Sequence, residues 1–217
     1  MKDIPVFTTE NGAASLILRE IPYQETAYVK IHSSQTPLAL VEECVSFCRM
    51  VGAERIYATG DPCLESYPFH TAMLRMVCAR DSIGDTDAAL WPVQEHTAEE
   101  FQRIFNSKAP SVPNGAWMDW ADKKEMLQTG EGYFVHRGDT LLGIGRVLGG
   151  ELRFLASVHP GAGADVLKAL CHAVTGDTVS LTVASANAKA MALYERMGFL
   201  PAEELSRWYC VFKGKEA

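Results

Sequence analysis

Three segments in the second half of the chain carry the alternation of apolar and polar residues that is typical of strands. They are GYFVH, TLLGIGRVL and ELRFLASV. Turn signals separate them, at Arg137-Gly138-Asp139 and at Gly149-Gly150. Because strands joined by such short turns run antiparallel, the pattern predicts an antiparallel meander.

Helical periods flank this meander. Before it, TAEEFQRIF begins with Thr97 three residues ahead of Glu100, which predicts a capping box, and WADKKEMLQTG predicts a short helix that ends at Gly130. After it, ADVLKALCHAV has the apolar spacing of a helix and TVSLTVAS that of a strand. A further helix and the strand RWYCVFK complete the order. The order predicts an α+β fold with one parallel crossover in the sheet.

The first half contains a fainter copy of part of this order. AYVKIHS, LALVEECVSFCRMVG and ERIYATG predict a strand, a helix and a strand. If this is a diverged internal repeat, YPFHTAMLRMVCA corresponds to the last helix of the second half. The acidic, Gly-containing stretch ARDSIGDTDAALWP marks a boundary, so we expect an α/β half-domain at residues 1–88 and a larger domain at residues 89–217.

Composition and charge narrow the classes of function. Hydrophobic residues make up 47% of the 217 residues, enough for a substantial core. A formal net charge of −7 offers no basic field to phosphate backbones, so we expect no nucleic-acid partner, and an amine partner is easier to accommodate. No apolar run is long enough for a membrane span, and MKDIPVFTTENG lacks a signal-peptide core. We therefore expect a cytoplasmic protein with no membrane partner.

The cysteines and histidines give no metal-ligand pattern. The six histidines are dispersed, and the six cysteines lie scattered through apolar segments without a Cys-x-x-Cys pair. Cys44 and Cys48 share a helix face, but no nearby His completes a ligand set. We expect reduced thiols that pack in the core, and no metal.

The segment SANAKAMALYERMGF carries the most specific signal in the chain. Asn187 is a good helix N-cap, and Tyr194 lies two turns further on, about 10 Å along the axis and on nearly the same face. Gly198 then ends the helix and Phe199 re-enters the core. The segment resembles the Asn-x-x-Ala-x-x-Leu-Tyr-x-x-x-Gly-Phe signature of the GNAT superfamily of acyl-CoA-dependent N-acetyltransferases.

The resemblance implies a fold, a cofactor and a reaction. From about Leu90 to Lys213 the order of elements resembles the GNAT fold, a mixed, mostly antiparallel sheet flanked by helices, to which the first half adds a smaller α/β part. The family binds its acyl donor, acetyl-CoA, in a V-shaped split between the strands that flank the crossover helix. The acetyl group passes directly to a primary amine, here of a small molecule or a peptide. The resemblance places Tyr194 beside the cofactor sulfur and Asn187 along the pantetheine arm.

The chemistry of such a transfer suits these residues. A Tyr with a pKa near 10 stays protonated at neutral pH and can donate a proton to the departing thiolate. A half-buried aromatic that closes the core is the alternative for Tyr194, and a simple N-cap is the alternative for Asn187. A backbone N–H of the splayed strand would stabilise the oxygen of the tetrahedral species, and the candidate donors are Leu155, Ala156, Ser157 and Val158.

The segment SVHPGAGADVLKAL resembles the family's pyrophosphate loop. Phosphate oxygens would accept from backbone N–H groups at this helix N-terminus, and the candidates are Gly161, Ala162, Gly163 and Ala164. Pro160 meets Gly161 directly, so the residues that normally include Arg or Gln are missing, and Asp165 adds a negative charge. An ordinary Gly-rich turn is an equal alternative, and we expect weak cofactor binding.

The acceptor amine and the general base have weaker candidates. Trp117, Asp119 and Trp120 could form an aromatic and acidic wall for an amine, although a Trp-anchored loop over the core is the alternative. Glu151 is a candidate base, acting directly or through water, and a solvated Glu at a strand start is the alternative. The acceptor and the oligomeric state stay open. A non-catalytic acyl-CoA-binding or regulatory module and a purely structural protein are the rival functions.

Overall fold

The computed structural model describes residues 5–214, which form two compact units. The first unit comprises the residues up to Met73 together with those from Leu205 on, and the second is Leu74–Glu204.

The strands are β1 (Val6–Thr9), β2 (Gly12–Ile17), β3 (Thr26–Ser34), β4 (Arg55–Thr59), β5 (Phe69–Ala79), β6 (Ala89–Pro92), β7 (Gly132–Arg137), β8 (Thr140–Leu148), β9 (Glu151–Ser157), β10 (Thr178–Ala184) and β11 (Leu200–Lys213). The α-helices are α1 (Ile21–Gln24), α2 (Pro37–Met50), α3 (Ala98–Lys108), α4 (Trp120–Thr129), α5 (Gly163–His172) and α6 (Ala188–Arg196). Within the described residues no helix is long and apolar enough to cross a membrane.

The sheet of the second unit has the strand order β5-β10-β9-β8-β7-β6. Strands β6 to β9 pair antiparallel with their neighbours, while β9 and β10, which α5 connects, pair parallel. This arrangement confirms the predicted α+β class, the antiparallel meander and the parallel crossover.

Helices cover both faces of this sheet. Helix α5 packs on one face and α6 belongs to the same core cluster, whereas α3 and α4 pack on a second cluster with Phe134, Ile144 and Ala156. Two glycines of β8 let α5 approach closely, since a Cβ on Gly145 would lie 2.2 Å from Leu170 Cδ1 and one on Gly143 would lie 2.8 Å from Val166 Cγ2. The apolar spacing of ADVLKALCHAV therefore matches a helix that lies directly on the strands.

The first unit repeats part of this order. Its strands follow the order β1-β2-β3-β4-β11, with β1 to β3 antiparallel and with β3 and β4, which α2 connects, parallel. Helix α2 buries an apolar face on this sheet that includes Cys44 and Cys48, and all six cysteines of the chain are free thiols. A meander, a helix and a parallel strand thus occur in both units, as the predicted internal repeat requires.

Two local predictions are wrong, and one element was missed. The segment from Tyr67 to Ala79, predicted as the counterpart of the last helix, contains strand β5, where exposed Arg75 and half-buried Val77 alternate with buried Met76 and Cys78. The capping box from Thr97 to Glu100 does not form, because the Thr97 hydroxyl exchanges hydrogen bonds with the backbone of Gln94, while Glu100 pairs with Arg103. The β1–β2 hairpin was not predicted, although an Asn-Gly pair lies at its turn.

Strands β5 and β11 contribute residues to both compact units. The units change at Met73 and at Glu204. The division into domains at residues 88 and 89 stays a prediction.

Candidate functional site

Strands β9 and β10 separate after a short paired segment. Their register pairs only Glu151 with Ser180 and Leu152 with Leu181, although β9 continues to Ser157 and β10 to Ala184. We call the opening between the unpaired parts of the two strands the split. Its closed end is at Leu152, and from there it extends along β9 toward the start of α5.

The corresponding strand pair of the first unit does not open. Strands β3 and β4 pair from Thr26 with Arg55 to Lys30 with Thr59, which is all of β4. Beyond it, Gly60 has a φ of +105° and lies so close to β3 that a Cβ would be 2.3 Å from the Ile31 carbonyl oxygen. The split is therefore a property of the β9–α5–β10 arrangement and not of every crossover in this chain.

The backbone of β9 presents hydrogen-bonding groups along the split. The Val158 N–H donates to the Leu142 carbonyl of β8 at 2.9 Å, so alternation along the strand directs the N–H groups of Val158 and Ala156 toward β8. The N–H groups of Leu155 and Ser157 then point to the other side, where β10 has moved away. Of the four predicted oxyanion donors, these two face the split.

The loop after β9 leads into a helix N-terminus with unsatisfied donors. Gly161 adopts a φ of +81°, which lets the chain turn sharply between strand and helix. In residues 5–214 the N–H groups of Gly163, Ala164 and Asp165 have no hydrogen-bond acceptor, whereas Ala162 N–H bonds to His159. Two of these free donors, Gly163 and Ala164, belong to the predicted phosphate cradle, and Asp165 adds a third.

The acidic residue in this helical turn, Asp165, pairs with an arginine that the sequence did not indicate. Arg137, at the end of β7, pairs with the Asp165 carboxylate at 3.1 Å and with Asp87 at 2.7 Å. Hydrogen bonds to Asp87 and Asp165 raise the pKa of the Arg137 guanidinium. One guanidinium shared by two carboxylates screens the Asp165 charge but leaves this cluster with a net negative charge.

Helix α6 has the caps that its sequence predicts. The Asn187 side chain accepts from the Ala190 N–H at 3.2 Å, which makes Asn187 the N-cap. At the other end Gly198, with a φ of +88°, follows the last turn, and the Phe199 N–H bonds to the Tyr194 carbonyl at 2.9 Å. This pattern is a Schellman motif, and it returns fully buried Phe199 to the core.

Tyr194 lies on the buried side of α6. It is 8% exposed and its ring lies 5.8 Å from that of Phe199. Burial, with a smaller contribution from the neighbouring Cys171 thiol, raises the pKa of Tyr194 to about 12. Its hydroxyl is therefore protonated at neutral pH and can donate. Helix α6 also borders the start of α5, since a Cβ on Gly163 would lie 3.4 Å from Leu193 Cδ2.

The three residues predicted to contact the acceptor surround the start of α4. Asp119 caps this helix by accepting the Asp122 N–H at 2.8 Å, Trp117 is half-buried, and Trp120 is 66% exposed. Lys124 lies 5.2 Å from the centre of the Trp120 ring. Met118, which lies between Trp117 and Asp119, is buried and packs with α3. The segment is therefore anchored over the sheet face that α3 and α4 cover.

Glu151 lies apart from the other predicted catalytic residue. It pairs with Ser180 at the closed end of the split, and its carboxylate lies 3.4 Å from Arg153 Nε. The structure brings the β9 edge, the α5 N-terminus and α6 together around one opening, whereas Glu151 marks its far end. Its role as a base stays a prediction.

One charged cluster was missed by the sequence reasoning. Glu131 is 1% exposed, and its carboxylate pairs with Arg146 of β8 and with Arg153 of β9. The available signal was Arg146 itself, a charged residue inside the apolar run TLLGIGRVL.

Comparison with known proteins identifies the fold. No family model matches the chain, and no curated protein matches it at the level of sequence. A conserved protein of unknown function from Staphylococcus epidermidis aligns over 96% of this chain and 93% of its own, with 12% identity and a TM-score of 0.62. A GCN5-related N-acetyltransferase from Sphaerobacter thermophilus aligns over 94% and 78%, with 13% identity and a TM-score of 0.60. A tandem GNAT protein from the clavulanic acid biosynthesis pathway aligns over 95% and 80%, with 15% identity and a TM-score of 0.55.

These likenesses extend over nearly the whole chain. At such low identities they establish the fold and leave the substrate open. The chain has the fold of the GNAT acetyltransferases, as the signature around Tyr194 predicts.

Proposed function

We propose that the protein transfers an acetyl group from acetyl-CoA to a primary amine of a small molecule or a peptide. The observation that carries this proposal is the split, because it exposes an unpaired strand edge next to a helix N-terminus with free N–H groups. The proposal assigns the chemistry to the predicted domain of residues 89–217.

The residues present suit an acyl-CoA ligand. The free N–H groups at the start of α5 would hold the pyrophosphate, and Asn187 at the start of α6 would contact the pantetheine arm. The unpaired N–H and C=O groups of β9 would hydrogen-bond the amides of the pantetheine arm, which would take the place of β10. Acetyl-CoA supplies an activated carbonyl and a thiolate leaving group.

In the proposed reaction the amine nitrogen attacks the acyl carbon, the carbon–nitrogen bond forms and the carbon–sulfur bond breaks. The N–H of Leu155 or Ser157 stabilises the oxygen that becomes negative. The raised pKa of Tyr194 keeps its hydroxyl protonated through the working pH range, so the hydroxyl can hydrogen-bond the departing thiolate and give it a proton. The amine nitrogen loses a proton to Glu151, the candidate base, directly or through water, and a proton from the solvent restores the Tyr194 hydroxyl.

The proposal also includes the compartment. Six free thiols suit the reducing cytoplasm, where disulfides are rare.

The test is a thiol-release assay with acetyl-CoA and a panel of amines, run on the wild type and on Tyr194→Phe. Loss of the hydroxyl should lower kcat by about a hundredfold or more while the affinity for acetyl-CoA stays within about twofold. Tyr133→Phe, a half-buried tyrosine on β7, is the matched control. Equal turnover by wild type and Tyr194→Phe would remove Tyr194 from the mechanism.

One observation favours a second function, that of a non-catalytic acyl-CoA-binding module. Tyr194 is 8% exposed, which limits the access of its hydroxyl to a thiolate. Calorimetry separates the two functions, because binding of acetyl-CoA without turnover of any amine supports the binding module. A chain that neither binds acetyl-CoA nor gains thermal stability from it would have neither function.

A further inference from the structure

A buried carboxylate joins two arginines on neighbouring strands of the second unit. The Glu131 side chain is 0% exposed, and its carboxylate pairs with the Arg146 guanidinium and, at 3.2 Å, with Arg153 Nη1. We call these three residues the Glu131 triad. Two guanidinium groups around one carboxylate leave an excess positive charge. Glu151 meets it only at the surface, since the side chains of Arg153 and Glu151 are 38% and 44% exposed.

A β-bulge gives Arg153 its direction. The register of β8 and β9 pairs Arg146 with Phe154 and then Val147 with Leu152, so Arg153 is the extra residue. Bulges redirect side chains and are common beside functional sites. Here the bulge brings a second guanidinium to the carboxylate that Arg146 already contacts. Arg153 is also the first β9 residue beyond the last pair with β10, so it stands at the closed end of the split.

The triad stands on the sheet face that α3 and α4 cover. Arg146 lies two residues after Ile144 on β8, so both side chains project to the same face, and Ile144 belongs to the cluster that α3 and α4 cover. Phe154, directly opposite Arg146, packs against Phe105 of α3 with ring centres 4.2 Å apart. Met118, which lies between the two predicted acceptor residues Trp117 and Asp119, belongs to the same cluster.

The triad has donor capacity that the protein does not use. The Nε of Arg146 is buried and has no hydrogen-bond partner within residues 5–214. A buried guanidinium donor without an acceptor is costly, and an oxygen that enters beside the partly exposed Arg153 and reaches Arg146 would remove that cost. Arginine also matches the planar, two-oxygen geometry of a carboxylate.

We propose that Arg146 and Arg153, held in place by Glu131, bind a carboxylate of the acceptor, so that the preferred substrates are amines that also carry a carboxylate, such as amino acids or short peptides. This inference rests on the proposed acetyl transfer. The carboxylate would anchor at the closed end of the split while the amine faces the thioester further along β9. Purely cationic polyamines would be poor substrates.

The test compares matched acceptors on the full chain. Amino acids and their carboxamides are assayed for thiol release with wild type, Arg153→Gln and Arg153→Lys. In wild type the free acids should have a kcat/KM at least about tenfold above that of the amides. Arg153→Gln should raise the KM for the acids about tenfold, leave kcat within about twofold and leave the amides unchanged. Arg153→Lys should restore part of the affinity. Equal use of acids and amides by wild type would overturn the inference.

Two controls separate charge recognition from other effects. Arg103→Gln removes an exposed arginine that pairs with Glu100 on α3. It should change neither the KM for the acids nor the KM for the amides. Glu151→Gln removes the surface counter-ion of Arg153, so it should lower the KM for acids or leave it unchanged. Because Glu151 is also the candidate base, this variant should lose kcat for acids and amides alike, and a raised KM for the acids alone would count against the inference.

A binding measurement keeps the inference distinct from the proposed reaction. Saturation-transfer NMR on the protein with coenzyme A compares N-acetylglycine with N-acetylglycinamide. Binding of the acid alone, abolished by Arg153→Gln, supports carboxylate recognition even if no amine is acetylated, and only the reaction would then be abandoned. Turnover of neutral amines without any preference for the acid in this experiment would leave the reaction standing and overturn the inference.

Discussion

The pair formed by Arg137 and Asp165 offers a quantitative test of the phosphate site. Asp165 lies in the first turn of α5, and Arg137 is the cation that pairs with it, at 3.1 Å. Arg137→Ala would leave the Asp165 carboxylate without its counter-ion at the helix N-terminus that is proposed to hold a pyrophosphate. The affinity for acetyl-CoA should therefore fall.

The size of the effect follows from the geometry. A phosphate that accepts the Asp165 N–H lies about 6 Å from the carboxylate of the same residue, and in water one pair of like charges at that distance changes an equilibrium constant about threefold. Two phosphate charges give a rise in Kd of about tenfold at low salt. High salt should shrink this effect, because both side chains reach solvent.

The assay is titration calorimetry with acetyl-CoA at low and at high salt. The double variant Arg137→Ala with Asp165→Asn should recover the wild-type Kd, because the repelling charge is gone. Asp87→Asn is the matched control, since it removes the other carboxylate on the same guanidinium and leaves the pair with Asp165 intact. Wild-type affinity in Arg137→Ala, or no recovery in the double variant, would refute the reasoning.

Three further outcomes are expected. Gly143→Ala would place a Cβ 2.4 Å from the Ala156 carbonyl oxygen and should destabilise the fold by about 1–3 kcal/mol in urea titrations. Gly150→Ala is the control and should have little effect, because the atom nearest to its Cβ would lie 3.6 Å away. Similar losses of stability in both variants would contradict this packing. Asn187→Ala should lose the N-cap of α6 and with it about 1 kcal/mol of stability, whereas Asn187→Asp should keep the cap and the wild-type stability. Equal unfolding midpoints for the wild type and the two variants would count against the cap. Burial raises the pKa of the Cys44 and Cys171 thiols from 9.0 to about 12, so the folded chain keeps protons that the unfolded chain releases. The free energy of unfolding should be unchanged below about pH 9 and should fall by about 1.4 kcal/mol per pH unit per thiol as the pH rises toward 12. Denaturant curves that do not change across this range would show that these thiols are not buried.

The sequence predicts most of the second unit because its local signals agree. Apolar alternation and Gly-containing turns define β7 to β9, helical spacing defines α5, and Asn187 and Gly198 define the two ends of α6. These features depend on neighbouring residues only, and they suffice for the GNAT signature. The sequence leaves four candidate oxyanion donors on β9. The hydrogen bond from the Val158 N–H to the Leu142 carbonyl reduces them to two, because it fixes which N–H groups face β8.

The remaining features depend on residues that are far apart in sequence. Strand β5 has an apolar spacing that is also compatible with a helix, and its strand state depends on pairing that the segment does not encode. The Glu131 triad joins residues of three segments through a bulge, and Arg137 reaches Asp165 from the end of β7. The length of pairing between β9 and β10 is likewise a tertiary property.

Residue-resolved amide hydrogen exchange, with and without acetyl-CoA, tests the claim that the split holds the cofactor. In the free protein the N–H groups of Leu155 and Ser157 should exchange much faster than those of Ala156 and Val158, which face β8. Saturating acetyl-CoA should slow exchange at Leu155 and Ser157 by about tenfold or more and leave the other two unchanged. Equal protection of all four amides in the free protein, or no change at Leu155 and Ser157 with acetyl-CoA, would contradict the account.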